Sequence, residues 1–404
     1  MASRPRVGLF GLLGQGNLGN DGSFESVLGY LRSEHPEAVL DALCSDPDTL
    51  SQRYGIPAAQ LRWYVPGRAP SRGLRAVASR LLGLGAGLAM DAWRIPAWVR
   101  RHDAVIVPGM GVLETTVPIR PWKTPYWMFL LCVSGRVFGT KVALASVGAN
   151  VTSHRVTRWL IAAAVRSACY RSFRDELSRD AMRQMGVDTA ADTVSPDVAF
   201  ALPVPAGDQS APGSVGIGVM DYSGDNDEKA SQGRLRANYL EQMKRFTWWL
   251  VDHGHPVRLF TSDTVDQPIV TEIAGDVRAR LPGLDPALIA ADPAETLTEL
   301  MGQIAGVDTV VATRYHNVLY ALLQAKPALA LAYGAKHEQL MAEAGLAGFY
   351  LQCRSLDASQ MIEKFTEIER DAARLRQLIA ARTAVKAELV RDQLAAMCAA
   401  VLPG

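Results

Sequence analysis

An α/β fold built of parallel, doubly wound sheets is predicted for this chain on three observations. Short apolar runs alternate with helix-patterned segments from Val7 to Ala332, the signature of repeated strand–helix units. Several of the runs are apolar throughout, as strands covered on both faces must be. A proline- and glycine-rich stretch, Pro203 to Gly213, breaks the alternation, which then restarts; it is the best domain boundary in the chain. With 404 residues, 49% hydrophobic and 21% charged, the chain is long enough for two or three domains with sizeable cores.

The first strand is expected at Val7–Phe10. A glycine-rich segment, Gly11 to Gly22, leads from it to a helix over Ser23–Ser33. Glycines there let backbone approach an anion, and the helix offers its N-terminus. Gly14-Gln15-Gly16-Asn17-Leu18-Gly19 fits the dinucleotide fingerprint by letter. The helix is expected to begin later, however, and no acidic residue closes a second strand at the usual offset, so the match is weak. A plain tight turn and a ligand edge both stand as readings; Asn17, Asn20 and Asp21 favour the second.

Further strands are expected at Ala38–Leu43, Arg62–Val65, Asp103–Val107 and Lys141–Val147, with a short one at Tyr170–Phe173. Helices are expected at Pro121–Phe138, Val156–Ala168 and Ser178–Met185. Ser71 to Arg101 is unusual, because it combines six arginines with Leu74, Leu81, Leu82, Trp93 and Trp98. An amphipathic helix packed on the sheet is the commoner use of such a pattern; a helix lying on an anionic membrane surface is the other. Gly83, Gly85 and Gly87 weaken a long continuous helix. In the second half, strands are expected at Val215–Met220, Pro256–Phe260, Leu288–Ala290, Thr309–Ala312 and Ala328–Ala332. Helices fall between them at Tyr239–Asp252, Asp266–Leu281, Ala294–Ala305 and Val318–Gln324, and a charged helical tail follows Asp357.

Composition excludes several classes. A net charge of +1 gives no support to nucleic-acid binding. Five scattered cysteines without a C-x-x-C pair argue against a zinc site or a secreted disulfide framework. No run reaches the roughly 18 apolar residues of a membrane span, and the start of the chain lacks a secretory pattern, so a cytoplasmic protein is expected.

The most informative stretch is Val307 to Glu338. Thr313-Arg314-Tyr315-His316-Asn317 follows one expected strand and Tyr333-Gly334-Ala335-Lys336 follows the next. Neighbouring parallel strands put these two loops at one sheet edge, so Arg314, His316 and Lys336 can converge there. Two fixed cations and a titratable imidazole suit a small, highly charged anion that undergoes proton transfer.

With these residues in view, the chain resembles the polysaccharide pyruvyl transferases. The resemblance rests on the glycine-rich segment with Asn17, Gly19 and Asp21, on Pro108-Gly109-Met110-Gly111 and on Ser146-Val147-Gly148. It continues through Phe173-Arg174-Asp175 with Ser178, Pro196-Asp197, Arg314-Tyr315-His316, Tyr333-Gly334-Ala335-Lys336 and Gly345-Leu346. Each piece is short; order and spacing together make the match. It implies two Rossmann-like domains similar to the GT-B glycosyltransferase fold, with the active site in the cleft between them. The divisions expected are 1–205, carrying the acceptor side and part of the donor site, 206–356 with the donor site, and a helical segment at 357–404. It also implies phosphoenolpyruvate as donor, no cofactor or metal, and a saccharide or lipid-linked saccharide as acceptor, joined as a cyclic pyruvate ketal. By the same resemblance Arg314 and His316 are catalytic, Arg314 holding the donor's anionic groups and His316 serving as acid. Arg174 is a second donor-binding arginine, and Lys336, Asn17 and Gly16 join the donor site. Asp21, Trp122, Tyr126 and Tyr222 are the acceptor candidates. Peripheral contact with the inner face of a membrane through residues 71–101 goes with a lipid-linked acceptor. The competing function is a GT-B-type glycosyltransferase with a nucleotide-sugar donor.

The chemistry fits those residue types. Phosphoenolpyruvate carries close to three negative charges, and arginine binds carboxylate and phosphate with paired donors at any working pH. Ketal formation starts by protonation of the donor's methylene carbon. Histidine's reference pKa is about 6.5, and a bound trianion favours the imidazolium that such an acid needs.

Overall fold

The computed structural model describes residues 4–63, 74–115, 120–205, 210–224, 231–280, 283 and 285–403; side chains of residues 74–81 lie outside that description. The chain divides into two compact units. The first holds residues 1–15, 20–199 and 389–404; the second holds 16–19 and 200–388.

The first unit is built on a parallel sheet. Its elements in chain order are β1 (Arg6–Gly11), α1 (Leu18–Glu34), β2 (Val39–Cys44), α2 (Pro47–Tyr54), β3 (Ala58–Gln60) and α3 (Leu74–Val99). Then come β4 (Ala104–Pro108), α4 (Thr124–Phe138), β5 (Lys141–Val147), α5 (Arg155–Ser167), β6 (Tyr170–Phe173), α6 (Glu176–Gln184) and β7 (Thr193–Val194). The strand order is β3-β2-β1-β4-β5-β6-β7, every pair parallel. The order reverses between β1 and β4, which makes the sheet doubly wound. β4 is buried along its whole length, as a central parallel strand should be.

The second unit repeats the plan. It contains β8 (Val215–Gly218), α7 (Gln232–Asp252), β9 (Val257–Phe260), α8 (Gln267–Arg280), β10 (Ile289–Ala290), α9 (Leu297–Ala305) and β11 (Thr309–Ala312). α10 (Tyr315–Leu323), β12 (Ala328–Ala332), α11 (Ala335–Glu343), β13 (Tyr350–Gln352) and α12 (Ala358–Arg370) complete it, with α13 (Ala372–Val401) continuing past its end. Its order is β10-β9-β8-β11-β12-β13, again all parallel, with the reversal between β8 and β11. Two such sheets in one chain are the composition of a GT-B-like α/β fold, and the chain ends in a helix. Local signals set several boundaries. Thr296 and Glu299 form a reciprocal capping box on α9, and Asp46 with Pro47 starts α2 before a left-handed Gly55 ends it.

The structure corrects several sequence expectations. The third strand is Ala58–Gln60, not Arg62–Val65, of which Tyr64 and Val65 lie outside the described residues. α1 begins at Leu18, five residues before the expected start, because the Leu18 amide donates to the Ser262 carbonyl at 2.8 Å. That partner is tertiary, so no local cap advertises it. α3 runs unbroken through its glycines and Pro96. Packing holds it: the Tyr126 hydroxyl donates to the Leu88 carbonyl, and Trp127 Nε1 donates to Asp91. Residues 71–73 of the expected basic segment and 206–209 of the proline-rich stretch are outside the described residues. α10 starts at Tyr315 and α11 at Ala335, so His316 and Lys336 sit in first helical turns rather than in loops. Edge strands β7 and β13 were not expected at all.

The last part of α13 belongs to the first unit. There the Gln393 amide donates to Ser172 Oγ at 2.6 Å and accepts from Ser146 Oγ at 2.9 Å. Ser146 has a left-handed φ of 48°, at a register shift between β5 and β6.

Candidate active site

In the second unit the sheet reverses between β8 and β11, and ligands of doubly wound sheets bind outside the carboxyl ends of strands at such a point. Thr313, the residue after β11, is fixed three ways. Its amide donates to the Gly218 carbonyl at 2.8 Å, its hydroxyl pairs with Tyr239 at 2.7 Å, and its carbonyl meets His337 Nε2 at 3.0 Å. The chain then turns at Arg314 into α10. Neither α10 nor α11 has a side-chain cap, and the N-termini of both helices open at this edge.

Arg314 is oriented by two aspartates. Its Nε donates to Asp266 Oδ2 at 2.6 Å, and its Nη2 stands 3.6 Å from Asp263 Oδ2. Asp266 is buried and also accepts from the Asp221 amide and the Thr261 hydroxyl. Burial works against the guanidinium charge, but the hydrogen bond and charge of Asp266, with Asp263, outweigh it and hold the Arg314 pKa above its ordinary value. Burial raises the Asp263 pKa even though Arg314 pulls it down. The site is therefore less cationic than the sequence suggested: two carboxylates already face Arg314, and they fix the direction in which its Nη edge points.

Residues 16–19 complete this group. Asn17 Nδ2 donates to Asp263 Oδ2 at 3.0 Å, and the Gly16 carbonyl accepts from the Thr264 amide at 3.1 Å. Gly16 has a φ of 81°, and a Cβ on it would strike Thr264 Oγ1 at 2.2 Å, so only glycine fits. A Cβ on Gly19 would stand 2.1 Å from His316 Nδ1. The imidazole is thus seated directly on Gly19. Tyr320, one helical turn beyond His316, lies 5.9 Å from it ring to ring and donates to the Leu18 carbonyl at 2.9 Å. Lys336 holds its ammonium over the rings of Tyr333 and Tyr315, 5.5 and 5.8 Å from their centroids, and Tyr315 stands edge-on to His316. Arg314, His316, Lys336, Asn17 and Gly16 are thus one cluster.

A family model described as polysaccharide pyruvyl transferase matches residues 17–335, a span that includes Asn17, Arg174, Arg314 and His316. The chain belongs to the polysaccharide pyruvyl transferase family. It is therefore a transferase by family. No protein of curated function matches the sequence. Among solved structures, the chain is similar to a UDP-GlcNAc 2-epimerase from Neisseria meningitidis bound to UDP-GlcNAc, at 10% identity and a TM-score of 0.57, over 97% of this chain and 99% of that one. It is similar also to Anabaena Alr3699/HepE in complex with UDP, at 12% identity and a TM-score of 0.57, over 98% and 99%. The glycotransferase of kitacinnamycin gives 12% and 0.55, over 98% and 97%. At such identities the likeness carries the fold and nothing more.

Arg174 is in the first unit, with 4% of its side chain exposed. It pairs with Glu114, and Asp175 and Asp197 stand 3.6 and 3.7 Å from it. Burial raises the Asp197 pKa against the pull of Arg174. Asp21, offered for the acceptor, is buried in the first unit: one oxygen accepts from the Gly14 amide at 3.1 Å and the other from Arg53 at 3.2 Å. Its carboxylate is committed to holding its own loop. Tyr222 is a core residue of the second unit, packed on Tyr239, so its ring offers no open platform. Trp122 of the first unit is exposed and edge-on to half-buried Tyr126.

Sequence reading missed Asp263 and Asp266. Their i,i+3 spacing directly after an expected strand was the available signal. It also missed Asn317, which is fully buried against Gly218 with neither side-chain atom hydrogen-bonded among the described residues. Among the described residues no group of three or more His, Cys, Asp or Glu side chains is arranged to hold a metal ion. No helix there is long and apolar enough to cross a membrane.

Proposed function

We propose that this chain transfers the pyruvyl group of phosphoenolpyruvate to two hydroxyls of a saccharide, forming a cyclic ketal and releasing phosphate. The observation that carries the reading is the pairing of an oriented Arg314 with a seated His316 at one sheet edge, within the family-matched span. Arg314 presents its Nη edge to the donor's carboxylate or phosphate. Lys336 and the N-terminal end of the α10 dipole add positive charge.

In this scheme His316 gives a proton to the methylene carbon, and the neighbouring carbon becomes an oxocarbenium ion. One sugar hydroxyl adds there. The carbon–oxygen bond to phosphate breaks, and the second hydroxyl closes the ring. The two hydroxyls release two protons; one restores His316 and the other leaves with phosphate. A general acid of this kind contributes roughly a hundred- to ten-thousand-fold. Trp122 with Tyr126 is the aromatic surface we assign to the acceptor sugar, which is a lipid-linked or polymeric glycan handled at the inner face of a membrane.

Phosphate release from phosphoenolpyruvate, measured against a panel of glycosides, tests the reading. His316→Ala and Arg314→Ala should each lose at least about a hundredfold. Wild-type rates in both variants would falsify it. Thermal shifts with phosphoenolpyruvate and with nucleotide sugars separate the competing function: stabilisation by a nucleotide sugar alone points to glycosyl transfer. For Arg174, the donor contact competes with its three carboxylates. If Arg174→Lys folds and raises KM for phosphoenolpyruvate, the donor contact holds; unfolding means the residue serves its own unit.

A further inference from the structure

Helices α3, α4 and α5 form one layer. Their crossovers, β3 to β4, β4 to β5 and β5 to β6, all step the same way across the sheet, so right-handed connection puts them on one face, opposite α1 and α2. Contacts agree: α4 touches α3 through Tyr126–Leu88 and Trp127–Asp91, and α5 through the rings of Phe129 and Trp159, 5.1 Å apart. The outer surface of this layer has two properties. It is apolar at points where large side chains stand in solvent: Leu82 is 75% exposed, Trp93 69% and Trp159 59%, with Leu84 and Phe138 exposed as well. It is also strongly basic. The three helices contain seven arginines and one acidic residue, Asp91; the side chains of Arg75 and Arg80 lie outside the described residues, Arg94, Arg158 and Arg166 donate to backbone carbonyls, and Arg136 and Arg155 are exposed. Asp91 is buried, accepting from the Trp63 amide and Trp127 Nε1, so it gives the surface no negative charge. The whole chain has a net charge of only +1, so the positive charge is segregated onto this layer.

We propose that the outer face of α3, α4 and α5 is a docking surface for an anionic phospholipid bilayer. Tryptophans set at the interface and leucines reaching below it, ringed by arginines, supply the two signals that stable peripheral binding needs. The helices lie on the bilayer; none crosses it. A second copy of the chain is the poorer occupant, because a twofold pairing of this face would set arginines against arginines. The inference does not depend on the donor or on turnover, so its failure and that of the proposed reaction are distinguishable.

The test is co-sedimentation of the full chain with phosphatidylcholine vesicles, with and without phosphatidylglycerol. Binding is expected only with the anionic lipid, and it should weaken as salt rises. Trp93→Ser/Trp159→Ser and Arg136→Glu/Arg155→Glu should each lower partitioning at least about tenfold, with melting temperatures unchanged. The proposal is overturned by equal binding to neutral vesicles, by no binding, or by variants that bind like wild type. It is also overturned by a concentration-dependent dimer that the tryptophan variant abolishes, or by tighter binding to a nucleic-acid duplex than to the vesicles.

Discussion

Gly19→Ala is the sharpest probe of His316. The new methyl would stand 2.1 Å from Nδ1 and 2.5 Å from Cγ of the imidazole. Carbon atoms in contact settle near 3.5–4.0 Å, so the ring must retreat by roughly 1–1.5 Å or turn away. A misplacement of about 1 Å at a reacting group costs on the order of a hundredfold in rate. Stability should change far less. Overpacking costs about 1–3 kcal/mol, while alanine in place of glycine within a helix returns up to about 1 kcal/mol. The net loss of about 0–2 kcal/mol corresponds to a fall in Tm of less than about 8 °C for a unit of this size. The assay is single-turnover phosphate release from phosphoenolpyruvate for wild type, Gly19→Ala, His316→Ala and the double variant. In the double variant the methyl has no ring to displace, so Gly19→Ala should add nothing to the loss from His316→Ala. A coupling near 2.7 kcal/mol, equivalent to a hundredfold, is expected. Wild-type turnover by Gly19→Ala, or two losses that simply add, would refute the seating of His316 as the source of its activity.

Arg314→Lys cannot reproduce the Nε bond to Asp266, and it leaves that buried carboxylate short of a partner. A loss of about 1–3 kcal/mol in urea unfolding, with a raised KM for phosphoenolpyruvate, is expected. Lys336→Ala should raise that KM by roughly tenfold and leave the melting temperature in place, since its ring contacts are partly solvated. Asp197 has a native pKa above its unfolded value of 3.8, through burial, so the folded chain binds its proton more readily. Its contribution to stability is therefore greatest below that value and is lost as pH rises through the native pKa. Asp197→Asn removes this slope; urea titrations from pH 4 upward should show wild type losing ground to the variant as pH rises. Gln393→Ala removes both bonds to Ser146 and Ser172, and a thermal melt should register about 2–3 kcal/mol.

Legibility in the sequence followed the range of the forces involved. β11 and β12 were read to the residue, because an uninterrupted apolar run between polar loops leaves a buried strand little freedom. The start of α10 was placed three residues late. Arg314 is not a residue type that caps helices, and its extended conformation is imposed by Thr313 and the aspartates. β7 and β13, two and three residues long, carry too little pattern to be seen. Within the site, the R-x-H motif was legible because both residues sit on one turn. Asp266 was not: it meets Arg314 across 48 residues, and its i,i+3 spacing from Asp263 after a strand does not by itself name a partner. Arg174 shows the converse limit. The family resemblance offers it as a donor contact, while its pairing with Glu114, 60 residues before it, has no local signal in the sequence.

Residues 16–19 have a consequence for how the chain is made. They are made long before their partners: Asp263 is 246 positions beyond Asn17, and Tyr320 is 302 beyond Leu18. At the usual 5–20 residues per second, these four residues wait roughly 12–60 s for their partners. The second unit includes Gly16 to Gly19, which its contiguous sequence from residue 200 does not supply. Contacts this distant in sequence also slow folding once synthesis ends, because the loop they close is long. A fragment beginning at residue 200 would emerge with the seat of His316 missing, and a short peptide spanning residues 14–22, added back, is the piece that could fill it.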